Sequence, residues 1–269
     1  MLSVAAIGCD TGSEESVEIG YVNWACATAS SYLAANIIET ELGIEANLND
    51  LDAAPMWQSV ATGDVDFIVC AWLPGTHAEY FGELEDEVVD LGPNYHDARI
   101  GLVVPTYVDI DSIEELNDHV DQFEGRIVGI DPGAGIMSAT DTALDEYGLD
   151  FELVASGDAA MTAELRTAIQ NEEWIVVTGW TPHWKFADFD LKFLEDPKGV
   201  YGGAETINTI TRMDFASDNP AVQSFLDNYY LSAEQLGDLI GMMEEYDDNN
   251  EAAQAWMEAN RDVVDGWLE

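Results

Sequence analysis

Short, continuous apolar runs rich in Val and Ile alternate along most of this chain with longer segments whose apolar residues recur at helical spacing. That alternation leaves few folds open: strands buried on both faces, covered by helices, in an α/β architecture with a parallel sheet. Glu18–Val22 reads as the first strand and "SSYLAANIIETEL" as the helix after it. Pro55–Val60 is a short helix, "DVDFIVCAW" a fully buried strand and "RIGLVVPTYV" another. "SIEELNDHVDQF" opens with Ser112 as N-cap and Glu115 at the capping-box spacing. A second round runs through Arg126–Ile130, "MSATDTALDEYGL", Phe151–Ser156, "DAAMTAELRTAIQNEE" and Ile175–Val177. From Thr206 the chain returns through "TINTITRMDF" and ends in helices. Two rounds and a helical return predict two α/β lobes. Residues 17–103 and 207–269 form the first, residues 104–206 the second, and residues 1–16 a leader and linker.

Apolar residues make up 47% of the 269, enough to fill such cores. The charge is the outlier, with 54 Asp and Glu against 8 Lys and Arg, a formal −46. Such a surface repels nucleic acid and anionic lipid. The acids are spread over every segment, so they read as solvation for concentrated salt, where the Debye length is about 3 Å at 1 M. No apolar run reaches the ~18 residues of a membrane span. The opening "MLSVAAIGCDTGSEES" resembles the tail of a lipoprotein signal peptide, with no basic n-region and a short apolar part. On that pattern Cys9 is the lipid-attachment residue and the protein sits at the outer face of the cell membrane. The three cysteines contain no C-x-x-C pair, so neither a disulfide framework nor a zinc site is signalled. Cys26 and Cys70 read as free buried thiols.

In open α/β sheets, ligands sit outside the carboxyl ends of the strands. Four such exits carry chemistry here. "GYVNWACA" places Trp24 after the first strand, and "CAWLPGTH" places Trp72 and His77 after the third. "GIDPGAGIMS" places glycines between strand and helix, and "TGWTPHW" places Trp180 at the last exit. Converging indole faces attract a cation that has no N–H to donate, the situation of a quaternary ammonium. The glycine-rich turn offers the opposite pole, because free N–H groups at a helix N-terminus bind an anion. It lacks the lysine of a nucleotide P-loop, so a small carboxylate suits it better than a phosphate. A cation cage facing a carboxylate cradle describes a betaine.

"VEIGYVNW", "LDAAPMWQSVATGDVD", "AWLPGTH", "IGLVVPTYV", "GIDPGAGIMSAT", "AAMTAEL", "VVTGWTPHW" and "LKFLEDPKGVYGGAETINTITR" together resemble the glycine betaine-binding proteins of ABC importers, the OpuAC-like family. The resemblance runs from Val17 to the C-terminus. It implies a two-lobed periplasmic-binding-protein fold of type II, closing on ligand in the cleft between the lobes. It also implies a trimethylammonium cage of Trp24, Trp72 and Trp180. The ligand carboxylate then falls to the amides of Gly135 and Ile136 and to the His77 side chain. The implied partners are glycine betaine or proline betaine and the permease and ATPase of an importer, with the receptor a monomer that uses no metal or cofactor. One departure is Ala25, where relatives often carry an acid beside the first cage tryptophan.

Rival readings are weaker. His77, His183 and the carboxylates could be imagined as a hydrolase site, but H-E-x-x-H and G-x-S-x-G are both absent. A sugar receptor would stack aromatic rings too, yet these exits offer mostly Thr, Pro and Gly in place of amides and carboxylates. Choline and carnitine remain open as ligands. Trp57, Trp174, Trp184, Trp256 and Trp267 read as packing residues, and His183 as a support for the Thr181-Pro182 turn.

Overall fold

The computed structural model describes residues 16–269, so Cys9 lies outside the described residues. Nine strands form in chain order: β1 Ser16–Tyr21, β2 Glu45–Asp50, β3 Phe67–Leu73, β4 Val88–Pro105, β5 Arg126–Val128, β6 Glu152–Val154, β7 Val177–Thr181, β8 Leu191–Phe193 and β9 Glu205–Arg212. The helices are α1 Ala25–Ile37, α2 Ala53–Thr62, α3 Ala78–Leu84, α4 Gly135–Tyr147, α5 Asp158–Asn171, α6 Lys185–Asp188, α7 Phe215–Asp218, α8 Pro220–Asn228, α9 Ala233–Glu245, α10 Asn249–Ala259 and α11 Arg261–Trp267. Helix α1 runs on into a π turn, and a 3₁₀ segment covers Ile113–His119. The expected capping box opens that segment: the Ser112 N–H donates to Glu115 Oε1 at 2.9 Å, and Ser112 Oγ accepts from the Glu114 amide.

The strand order is β2-β1-β3-β9-β4-β7-β5-β6, with β8 also on β4. The first lobe is built on β2-β1-β3-β9 and the first part of β4, the second on the rest of β4 with β7, β5, β6 and β8. Strand β4 serves both: Val88–Ala98 pair with β9 and Arg99–Val103 with β7. The changeover therefore falls inside one continuous strand, between Ala98 and Arg99, earlier than the sequence reading placed it. The chain returns to the first lobe between β8 and β9. The sheet is mixed, not parallel as expected. The βα rounds pair in parallel, β1 with β2 and β3, and β5 with β6 and β7. Strands β4, which crosses between the lobes, and β9, which follows the return crossing, pair antiparallel with their neighbours.

All seven residues of β3 are buried, as a continuous apolar run in a central strand requires. The edge strand β2, "EANLND", is polar and acidic, which protects an unpaired edge from other chains. Helices α2 and α4 stop at Gly63 and Gly148, whose φ values of 81° and 60° suit the left-handed C-terminal position. The C-terminal helices close the first lobe over α1: Asn36 Nδ2 donates to Asn250 Oδ1 at 3.0 Å and the Tyr229 hydroxyl to the Ser30 carbonyl at 3.0 Å. No helix of the described residues is long and apolar enough to cross a membrane.

Eight basic residues cannot neutralise fifty-four acids. Those that pair do so locally, as Arg212 with Asp66 and Asp218, and Arg261 with Glu41 and Asp265. The remaining self-repulsion opposes the compact state and is screened by salt. The melting temperature is therefore expected to climb steeply between 0.1 M and 3 M KCl. A flat profile would show that the acid surface carries no such cost.

Candidate functional site

Trp72 and Trp180 occupy equivalent places, each the penultimate residue of its strand, β3 and β7. Both strands leave through a Trp-x-Pro turn with a cis proline, at Leu73-Pro74 and Thr181-Pro182. Trp180 thus lies within β7, opposite Ile100 of β4, and not beyond a strand ending at Val177 as the sequence suggested. Trp24 follows β1 as the N-cap residue of α1. All three indoles are buried, and they line one small, largely apolar cavity with Thr76, His77, Ile100, Ile130, Ala134, Gly135 and Ile136. The six residues singled out in the sequence therefore converge from both lobes on one space.

His77 is held in one tautomer. Its ring Nδ1 accepts the Trp72 N–H at 3.0 Å, while its own amide donates to the Trp72 carbonyl at 2.9 Å. The hydrogen of the neutral ring is then on Nε2. Burial pushes the His77 pKa down to about 3, so the imidazole stays neutral at any ordinary pH. Nε2 has no partner among the described residues. A fully buried N–H donor without an acceptor is costly unless a ligand supplies one. Trp24 and Trp57 fix the ring from two sides, each with its centroid 5.9 Å away. Trp57 is fully buried, as expected of a packing residue, and its position against His77 was not legible in the sequence.

The second pole is the start of α4. Gly135 and Ile136 are its first residues, Ala134 gives no side-chain cap, and the first-turn amides of a helix have no acceptor within it. Gly135 is required sterically. A Cβ there would come within 2.7 Å of Thr76 Cγ2 and 2.8 Å of the Thr76 carbonyl carbon, with the carbonyl oxygen closer still. Thr76 belongs to the first lobe and Gly135 to the second, so this contact exists because the lobes are shut. Further bonds cross the same seam. Trp24 Nε1 donates to Asp131 Oδ2 at 3.2 Å, the Ala25 amide to Asp158 Oδ2 at 3.1 Å, and the Tyr80 hydroxyl to the Gly133 carbonyl at 2.8 Å. Asp131 and Asp158 thus bracket the Trp24-Ala25 step from the opposite lobe, where no acid follows the tryptophan in sequence. Glu205, at the start of β9, holds the Thr76 turn through its amide and hydroxyl.

His183 supports the turn after Trp180. Its Nδ1 accepts the Lys185 amide at 3.1 Å, which leaves Nε2–H to donate to Asp158 Oδ1 at 3.0 Å. Burial and the charge of Lys185 push the His183 pKa down to about 4. Burial would raise the Asp158 pKa, but the His183 bond, the Lys185 charge and the Ala25 amide hold it below its ordinary value. The pair is an aspartate with a neutral imidazole. Trp184 lies outside the cavity, packed on Phe189 and under the Arg166 guanidinium. Cys26 and Cys70 are free and buried, and the described residues hold no cluster of metal-ligating side chains.

Two lobes joined by the crossing strand β4 and by the return segment between β8 and β9, with a small aromatic cavity shut between them, define a solute receptor of the periplasmic-binding-protein type. The chain belongs to the family described as the substrate binding domain of ABC-type glycine betaine transport systems, whose model matches residues 15–259. It is 45% identical over 152 residues to the glycine betaine/carnitine transport binding protein GbuC of Listeria monocytogenes, a match covering 55% of this chain and 51% of that protein. The matched part thus spans about half the length of that relative. Lactococcal OpuAC, solved in its closed-liganded conformation complexed with glycine betaine, is 37% identical with a TM-score of 0.90, covering 95% of this chain and 100% of that one. An ABC-transporter choline binding protein in complex with choline is 26% identical with a TM-score of 0.87, covering 94% of this chain and 91% of that one.

Proposed function

We propose that this protein captures glycine betaine, or a close betaine such as proline betaine, outside the cytoplasm and delivers it to the permease of an ABC importer. The observation that carries this reading is the pairing of two poles across one cavity. Three indoles line the same cavity as a fully buried, neutral His77 whose Nε2–H lacks an acceptor among the described residues, beside the start of α4, which has no side-chain cap. In this reading Trp24, Trp72 and Trp180 surround the trimethylammonium, and the Gly135 and Ile136 amides with His77 Nε2–H hold the carboxylate. A bare quaternary amine such as choline is the second reading, favoured by the likeness to a choline receptor, and it leaves those donors unused.

Titration of the intrinsic tryptophan fluorescence with glycine betaine, choline and maltose in molar KCl separates the readings. Glycine betaine is expected to bind most tightly and maltose not at all. Alanine at Trp24, Trp72 or Trp180 should each weaken glycine betaine roughly 30-fold, since a desolvated cation–π contact is worth about 2 kcal/mol. Trp256 is fully buried and stacks on Trp267 far from the cavity, so Trp256→Ala should lower stability and leave affinity unchanged. Equal affinity in all four variants would remove the cage assignment.

A further inference from the structure

Of the eight basic residues of this very acidic chain, one is sealed inside it. Lys185, the first residue of α6, is 0% exposed, and its Nζ has no hydrogen-bond partner among the described residues. What it does have is a ring. Nζ stands 3.9 Å from the centroid of the Trp180 indole, well within cation–π range. Lys185 does not line the aromatic cavity, whereas Trp180 does. The indole therefore carries an ammonium on one face and is itself part of the wall of the ligand cavity. Asp158, the nearby acid, is already engaged by His183 and by the Ala25 amide.

A buried, unpaired charge is expensive, and methionine of similar volume would fill the same space without that cost. An ammonium there acts on whatever cation the cavity side of the ring holds. It draws on the same π density, and it repels a second positive charge across a ring's thickness of dry protein. Through such a medium, two charges roughly 9 Å apart interact strongly enough to change a binding constant about tenfold. We infer that Lys185 sets the affinity and charge selectivity of the cage from behind Trp180, weakening the capture of cations in its ammonium form and losing its proton when a quaternary ammonium binds. The inference rests on the cage reading above and adds a residue to it. It also assigns a preference: a zwitterion brings its own carboxylate, which offsets part of the repulsion, whereas choline brings none. Lys185 therefore penalises choline more than glycine betaine.

The groups around Lys185 leave it alone to titrate near neutral pH. Cys26, from α1, is pushed up to about 12 by burial and stays a thiol. Asp158, from α5, is held low and stays a carboxylate, and His183, pushed down to about 4, stays neutral. Burial pushes the Lys185 pKa down to about 8, against the pull of Asp158. A bound cation lowers it further, so the complex holds fewer protons than the free protein. By linkage the affinity must then rise with pH, from below the bound-state pKa to above the free-state one. With tenfold coupling, roughly half a proton leaves per ligand between pH 7 and 8.

The test is calorimetric titration of the full chain with glycine betaine and with choline in molar KCl, from pH 6 to pH 9.5, in buffers of different ionisation enthalpy. The parent should release protons near pH 7.5 and gain up to about tenfold in glycine betaine affinity across the range, and more for choline. Lys185→Met should bind at the parent's high-pH level at every pH and release none. Lys185→Arg, which stays charged, should sit at the low-pH level, also flat. The proton count on the parent needs no variant to fold. A parent with pH-independent affinity and no proton release overturns the inference, as does a Lys185→Met protein that binds both ligands more weakly, since the lysine would then only be propping up Trp180. A parent that binds neither ligand at any pH overturns the functional reading itself.

Discussion

Gly135→Ala is expected to abolish tight ligand capture and leave a folded protein. The added methyl group collides with the Thr76 carbonyl and Cγ2, which belong to the other lobe. Neither is the free end of a flexible side chain, and the Thr76 amide and hydroxyl are tied to Glu205. The strain exists only when the lobes are shut, and they relieve it by opening. Inside its own lobe the substitution is harmless, because alanine is a better helix residue than glycine at the start of α4. Ligand binding requires the shut form, so apparent affinity falls with the fraction of molecules that can close. If closure becomes a one-in-a-hundred event, glycine betaine weakens roughly 100-fold. The ligand-free melting temperature should match the parent's or exceed it. Calorimetry and thermal melts on the same sample check both halves. An affinity within a few-fold of the parent's would mean that the lobes do not meet over Gly135 in the bound state.

Which parts of this site could be read in advance follows from how its residues come together. Trp72 was legible because it ends a buried apolar run and Trp180 because it follows one closely, and strand direction alone decides that such ends face the crevice. Gly135 and His77 were legible through local motifs at the same exits. The support for these residues was not. Asp131 and Asp158 reach the Trp24-Ala25 step from the opposite lobe, more than a hundred residues away. In a chain with acids in every segment, two more carry no signal. Lys185 follows "TPHW" at what reads as the first turn of a surface helix, and lysine is ordinarily exposed. Its burial is a property of the assembled lobe. The first half of β4 was hidden differently. "VVDLGPNYHDA" holds Gly92, Pro93 and Asn94, residue types that favour turns, yet it pairs with β9 throughout by means of three register shifts that absorb the misfit residues. That hidden stretch is why the lobe changeover lies at Ala98 and Arg99 and not near residue 103.

The largest change in selectivity is expected from His77→Asn. The structure favours asparagine over alanine for this test, because His77 does two jobs. Nδ1 accepts the buried Trp72 amide, and Nε2–H is the donor left for a ligand. Alanine would remove both and strand the Trp72 N–H, disturbing a cage wall along with the carboxylate contact. The side-chain oxygen of asparagine lies where Nδ1 does, so it can keep the Trp72 bond while nothing replaces Nε2. Losing a hydrogen bond to a charged group costs about 1.5–3 kcal/mol, roughly 10- to 150-fold for glycine betaine. Choline has no carboxylate for His77 to hold, so its affinity should change little. The two ligands and two proteins form a thermodynamic cycle, and the ratio of ratios isolates the contact between Nε2–H and the carboxylate. Equal losses for both ligands would mean that His77 only shapes the cavity. A parent that already binds choline as tightly as glycine betaine would make the protein a receptor for quaternary amines in general, with the start of α4 serving closure and not carboxylate recognition.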